Sequence, residues 1–275
     1  MLPGVVVLDT SCYAHLVKPA VWERLNRSLR TAHLEARPTA INMFELLSTP
    51  NPRVRQRLLK TFHQIAAGRR VLPWPRDLLR HVGEAIRDGE HECRLAATWL
   101  DGLLVDPARS GLQQQRALAF CRRVETQFTN SHRDARKAVQ SFLREHGIQD
   151  AWSSAAEFLD SQWSTPNLLG HFSEIIWRAL QLDGAPPIDD LLTNDTWRLY
   201  LEAEGLAVFQ RGIMRRQSKR VQRMDLLQLV YMSVRDRRIL ASADEPFLSA
   251  ATCLLHRRYS LAEAVHIRAL LDTAV

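Results

Sequence analysis

Gly4-Val5-Val6-Val7-Leu8-Asp9 is the stretch that decides the fold. An uncharged run built on consecutive β-branched valines reads as a strand buried on both faces of a parallel sheet. It stops on a carboxylate. Thr10 and Ser11 follow as helix-starting residues, and residues 21–32 read as a helix. Residues 38–41 are a second short strand candidate, running straight into Asn42-Met43-Phe44-Glu45-Leu46-Leu47. A basic amphipathic helix over 53–67 and a third strand candidate at 70–72 continue the alternation that marks an α/β domain.

The pattern then changes. From about residue 76 to residue 205 no convincing strand is found, and helix-length segments are punctuated by Asp106-Pro107, Thr165-Pro166 and Gly184-Ala185-Pro186-Pro187. Five of the seven tryptophans fall here (Trp99, Trp152, Trp163, Trp177 and Trp197) and read as buried anchors between packed helices rather than as nucleic-acid contacts. The α/β pattern returns with an apolar helix over 224–232, a strand over 238–242 and a helix over 247–256. Ser260-Leu261-Ala262-Glu263 reads as a capping box that opens the last helix. Residues 1–75 and 206–275 are therefore expected to form one α/β domain, interrupted by a large all-helical insertion over 76–205.

Bulk composition narrows the class. With 275 residues, 46% hydrophobic and 24% charged, the chain can bury a core and is not a disordered polymer. A formal charge of +7 favours a polyanionic partner. Cys12, Cys93, Cys121 and Cys253 are far apart with no C-x-x-C pair, which argues against a zinc site or a disulfide framework. Neither a secretory leader nor an apolar run of membrane-spanning length is seen, so a cytoplasmic protein without membrane attachment is expected.

The strongest chemical signal is four acids in apolar surroundings. Asp9 follows the valine run, Glu45 sits between Met43-Phe44 and Leu46-Leu47, Asp225 between Met224 and Leu226-Leu227, and Asp244 after Ile239-Leu240-Ala241-Ser242-Ala243. A desolvated carboxylate is costly unless it caps a helix, pairs with a cation or binds a metal. Each can be read singly as a cap: Glu45 as the third residue of an Asn42 capping box, Asp225 and Asp244 as N-caps, and Asp9 as a cap after the first strand. Their placement argues for more. Parallel sheets hold ligands outside the carboxyl ends of their strands, and Asp9 and Asp244 end two strand candidates. Glu45 follows a strand closely, and Asp225 opens the helix leading into the last one. Clustered carboxylates repel unless a divalent cation sits among them, and an all-oxygen ligand set selects Mg²⁺ or Mn²⁺.

Leu8-Asp9-Thr10-Ser11, Asn42-Met43-Phe44-Glu45-Leu46-Leu47-Ser48, the run from Asp225 to Tyr231, and the run from Ile239 through Asp244 to Phe247 occur in the order seen in PIN domains. The chain thus resembles the PIN-domain (PIN-like) ribonuclease superfamily over roughly residues 1–75 and 206–258, with the insertion outside the resemblance. What the resemblance implies is a three-layer α/β/α fold around a short parallel sheet, and a metal-dependent nuclease acting on RNA in preference to DNA. It makes Asp9, Glu45, Asp225 and Asp244 the catalytic, metal-binding acids, with Ser242 orienting the last of them and Thr10 or Ser11 supporting the first. It also implies pairing into a homodimer and a toxin, defence or RNA-processing role, a toxin bringing an antitoxin or other protein partner. The gap from Glu45 to Asp225 is far longer than in compact members, so the insertion is expected to restrict or direct substrate access. A metal-activated water needs no protein nucleophile, which accounts for the lack of a Ser-His-Asp or Cys-His arrangement.

Basic residues point to the same partner. Between Glu204 and Asp225 there is no acid, but there are Arg211, Arg215, Arg216, Lys219, Arg220 and Arg223. Positions 211, 215, 219 and 223 would form one stripe on a helix, suited to a phosphate backbone. Arg53, Arg55, Arg57 and Lys60 form a second such patch. A haloacid-dehalogenase-like phosphatase also opens with a strand ending in Asp, but it needs a second Asp two residues on, where this chain has Ser11. The remaining alternatives are a gated or degenerate PIN module that binds nucleic acid or a protein partner, and an insertion serving as a dimerisation or sensor unit.

Overall fold

The computed structural model describes residues 4–67, 71–89, 166–212, 223–233, 238–258 and 262–272, with isolated helical positions between 115 and 157. Strand β1 (Gly4–Leu8) is buried along its whole length, as its valine run demands. After α1 (Cys12–His15) and α2 (Pro19–Thr31), strand β2 (Leu34–Arg37) pairs with β1 in parallel, from Gly4↔Leu34 to Val7↔Arg37. On the other side of β1 lies β3 (Arg238–Ser242), also parallel, from Val5↔Arg238 to Leu8↔Ala241. Strand β4 (Ala262–His266) adds to the far edge of β3, giving a four-stranded all-parallel sheet of order β2-β1-β3-β4.

This order creates a switch point. From β1 the chain moves outward to β2, and from β3 it moves outward the opposite way to β4 through α10 (Glu245–Arg258). Right-handed crossovers in opposite directions put α2 and α10 on opposite faces of the sheet. The connections diverge at the carboxyl ends of β1 and β3, the position at which open parallel sheets bind ligands. Helices α3 (Ala40–Ser48) and α4 (Pro52–Ala66) follow β2, and the short α11 (Ile267–Asp272) follows β4.

Three expectations about elements are corrected. The second strand ends at Arg37 rather than spanning 38–41, because Pro38 has no N–H to donate and Thr39 becomes the N-cap of α3. The third strand at 70–72 reduces to one parallel bridge between Thr39 and Leu72, and residue 70 lies outside the described residues. In place of a helix opened by a capping box, residues 262–266 form β4. All five find partners on the free edge of β3, and that pairing outweighs the helical preference of Ala-Glu-Ala. The expected helix over 224–232 is α9 (Arg223–Leu227), tightening into a 3-10 segment over Gln228–Ser233.

In the expected insertion the described residues form α5 (Pro75–Arg87), α6 (Pro166–Ala179), α7 (Ile188–Thr193) and α8 (Asp195–Gly212), with no strand among them. Trp177 and Trp197 are buried there with ring centroids 6.3 Å apart. Trp177 Nε1 donates to the Gly184 carbonyl at 3.1 Å, and Trp197 Nε1 to Ser173 Oγ at 3.0 Å, so neither indole leaves a buried donor unmet. Gly83 of α5 lies against them: a Cβ there would stand 2.6 Å from Leu182 Cδ1 and 3.3 Å from Trp177. These side chains belong to one hydrophobic core with β1 and β3. The expected boundary at 205–206 falls inside α8. Trp99, Trp152 and Trp163 lie outside the described residues. No described helix is long and apolar enough to cross a membrane.

Candidate active site

Asp9 sits at the switch point, one residue beyond the end of β1 and only 3% exposed. Its backbone N–H donates to the Ala241 carbonyl of β3 at 2.8 Å, so the parallel ladder runs right up to the carboxylate. Neutral donors hold the side chain from three directions. Gln228 Nε2 donates to Oδ1 at 2.7 Å, while Ser11 Oγ and Ser242 Oγ donate to Oδ2 at 2.5 and 2.7 Å. Both serines accept in turn, Ser11 from the Ala243 N–H at 2.8 Å and Ser242 from the Asp244 N–H at 2.9 Å. The loops after β1 and β3 are thereby fastened to each other across one carboxylate.

Glu45 comes to the same place from α3. The cap of that helix is Thr39: its Oγ1 accepts from the Asn42 N–H at 3.1 Å, and Asn42 Oδ1 accepts from the Thr39 N–H at 2.9 Å. Asn42 is therefore the third helical residue rather than the cap, and Glu45 lies in the second turn with no capping duty. Thr10 Oγ1 donates to Glu45 Oε2 and accepts from Asn42 Nδ2 at 3.2 Å. Burial pushes the Glu45 carboxyl up to about 7; the Thr10 hydrogen bond works against this and the charge of Asp9 adds to it.

Asp244 keeps the cap expected of it. Its Oδ1 accepts from the Phe247 N–H at 3.2 Å in the first turn of α10. It meets the Asp9 cluster through its backbone N–H, by way of Ser242. Asp225 is the third residue of α9 rather than its cap, three positions before Gln228 and so on the helical face that reaches Asp9. Among the described residues, no three His, Cys, Asp or Glu side chains converge as a metal-holding group. Of the four acids expected to converge, Asp9 and Glu45 come together; Asp244 joins them only through its backbone N–H, and Asp225 lies on the helix that leads to Gln228. A pair of carboxylates still fits Mg²⁺ or Mn²⁺: such an ion keeps several waters and is commonly held by one or two carboxylates plus substrate phosphate.

Thr10 or Ser11 was expected to support Asp9, and the structure divides them. Ser11 supports Asp9, whereas Thr10 serves Glu45. The Ser242 hydroxyl orients Asp9 and not the Asp244 carboxylate. Asn42 and Gln228, both fully buried, were not expected as site residues; Asn42 Nδ2 reaches Gln228 Oε1 at 3.4 Å and closes a polar network. A neutral amide inside the apolar run Leu226-Leu227-Gln228-Leu229-Val230 was the available signal.

Of the basic residues, Arg53, Arg57 and Lys60 are exposed at i, i+4, i+7 on α4, a helix without an acid. Arg55 is a correction: it is buried, and its Nη1 donates to the Thr49 carbonyl at 2.9 Å, closing the end of α3. Arg211 lies in α8 and Arg223 opens α9, while Arg215, Arg216, Lys219 and Arg220 lie outside the described residues. Comparison with known proteins offers no guide. No family model, curated protein or solved structure matches this chain.

Proposed function

We propose that the chain is a metal-dependent nuclease with a PIN-like three-layer fold, hydrolysing phosphodiester bonds in RNA. The observation that carries this reading is the pairing of buried Asp9 with half-buried Glu45 at the sheet's switch point. Two carboxylates, desolvated together and held from behind by neutral donors, make a cation-seeking site with oxygen ligands only. Asp9 and Glu45 would hold Mg²⁺ or Mn²⁺, with Asp225 and the oxygen of Asp244 that does not cap α10 as candidates to bind its waters. Such an ion, when bound, supplies an acidified water and charge stabilisation at phosphorus. The chain's own part is orientation. Ser11, Ser242 and Gln228 fix the Asp9 carboxylate, and Thr10 fixes that of Glu45. The exposed cations Arg53, Arg57 and Lys60 follow directly on the helix that bears Glu45 and suit a phosphate backbone.

Labelled single-stranded RNA and DNA, incubated with Mn²⁺, Mg²⁺ or EDTA, test the reading beside Asp9→Asn and Asp225→Asn. Metal-dependent cleavage of RNA, lost in Asp9→Asn, is the expected result. A second reading, a degenerate module that binds RNA or a protein partner, is favoured by one observation: no three metal-ligating side chains converge among the described residues. Metal-loaded wild type that retards RNA on a gel and cuts neither polymer would replace the first reading with the second.

A further inference from the structure

We infer that Gln228 is a positioning residue that sets the orientation of the Asp9 carboxylate. The inference rests on the nuclease reading and extends it to a residue outside the expected site set. Gln228 opens the 3-10 segment, is fully buried, and has buried apolar neighbours on both sides: Leu226 and Leu227 before it, Leu229 and Val230 after it. A leucine would fit that run and bring no polar atoms to satisfy. An amide placed there is costly unless both its ends are met. Both are: Nε2 donates to Asp9 Oδ1 at 2.7 Å, and Oε1 accepts from Asn42 Nδ2 at 3.4 Å.

The placement divides the work on Asp9. Ser11 and Ser242 anchor Oδ2 from the loops after β1 and β3, and Gln228 is the side chain that anchors the other oxygen, Oδ1. The same amide continues through Asn42 and Thr10 to Glu45, so one chain of hydrogen bonds holds both carboxylates in register. Gln228 is buried beneath Asp9 and is too deep to touch a substrate. Its effect must pass through Asp9 or, by way of Asn42 and Thr10, through Glu45.

Gln228→Met tests this, because it keeps an unbranched side chain of similar size and removes both hydrogen bonds. With RNA and Mn²⁺, kcat should fall between roughly tenfold and a hundredfold, the scale expected for a misplaced reacting group. KM should stay within about twofold, since no substrate contact is lost. A residue that only stabilised the fold would leave kcat per folded molecule unchanged, and that result would overturn the inference. Where Gln228→Met does not fold, selective ¹⁵N labelling of glutamine side chains in the wild type decides. The Gln228 amide signal should move on Asp9→Asn, and an unmoved signal would overturn the inference. A wild type that neither cuts RNA nor binds Mn²⁺ would instead remove the nuclease reading, and with it any catalytic meaning for the Gln228–Asp9 bond.

Discussion

Around Trp177 and Trp197 the interior is closed by apolar contact, with each indole N–H satisfied nearby; under Asp9 it is closed by hydroxyls, amides and two acids. Trp177, Trp197 and Asp9 are all buried, yet the two places do different things for the chain. The tryptophan junction joins α5, α6 and α8 to the common core, and its contribution grows with the apolar area removed from water. The Asp9 network adds little of that kind. Its atoms would be as well satisfied by water, so ordering them makes sense where geometry matters more than stability. The difference separates the part of the molecule that holds the fold from the part that spends stability on a site.

That separation can be broken by experiment, beginning with the largest effect. Trp197→Ala should cost about 3–5 kcal/mol, read as a lower denaturation midpoint, because it removes a fully buried indole packed on Trp177. Any activity lost should be recovered per folded molecule. If Trp197→Ala leaves stability unchanged, the junction is not where the fold is held.

Next comes Glu45. Its carboxyl rises from 4.5 to about 7 on folding, so the folded chain keeps a proton that the unfolded chain has released. Stability is then full below pH 4.5, falls as pH rises towards 7 and is flat above it. At about 1.4 kcal/mol per pKa unit the loss is roughly 3 kcal/mol. Glu45→Gln should remove this slope from urea-unfolding midpoints taken across that range. A slope surviving in Glu45→Gln would assign it to another group.

Gly83→Val follows, at about 1–3 kcal/mol, since even one added carbon meets Leu182 and Trp177. Thermal unfolding checks it, and a neutral result would mean that α5 can shift against α6. The smallest stability effect belongs to the surface. Arg53→Ala, Arg57→Ala and Lys60→Ala together should move stability by less than about 0.5 kcal/mol each. They should nevertheless weaken RNA binding and lower its log–log salt slope by about 0.7 per lost phosphate contact. An unchanged salt slope would take α4 out of the RNA path.

What could be read from the chain follows the same division. β1 and β3 were legible because Val5-Val6-Val7-Leu8 and Ile239-Leu240 are apolar runs with few alternatives. β2 was displaced by four residues and β4 was taken for a helix start. Leu34-Glu35-Ala36-Arg37 and Ala262-Glu263-Ala264-Val265-His266 carry weak strand preference, and only pairing with β1 and β3 makes them strands. In the site, Asp9 and Glu45 stood out because a charge inside an apolar run has a high cost. Asn42 and Gln228 obey the same physics more quietly, as neutral amides. Which acids meet was not legible at all, since Asp244 is consumed by capping α10 and that depends on where the helix begins.

The nuclease proposal stands or falls on whether Asp9 and Glu45 bind a divalent cation. Calorimetric titration of Mn²⁺ into wild type and Asp9→Asn at pH 8, where Glu45 is ionised, tests it most directly. Saturable binding by the wild type that Asp9→Asn abolishes is the predicted result. A wild type that takes up no Mn²⁺, or an Asp9→Asn variant that binds it equally well, would contradict the claim.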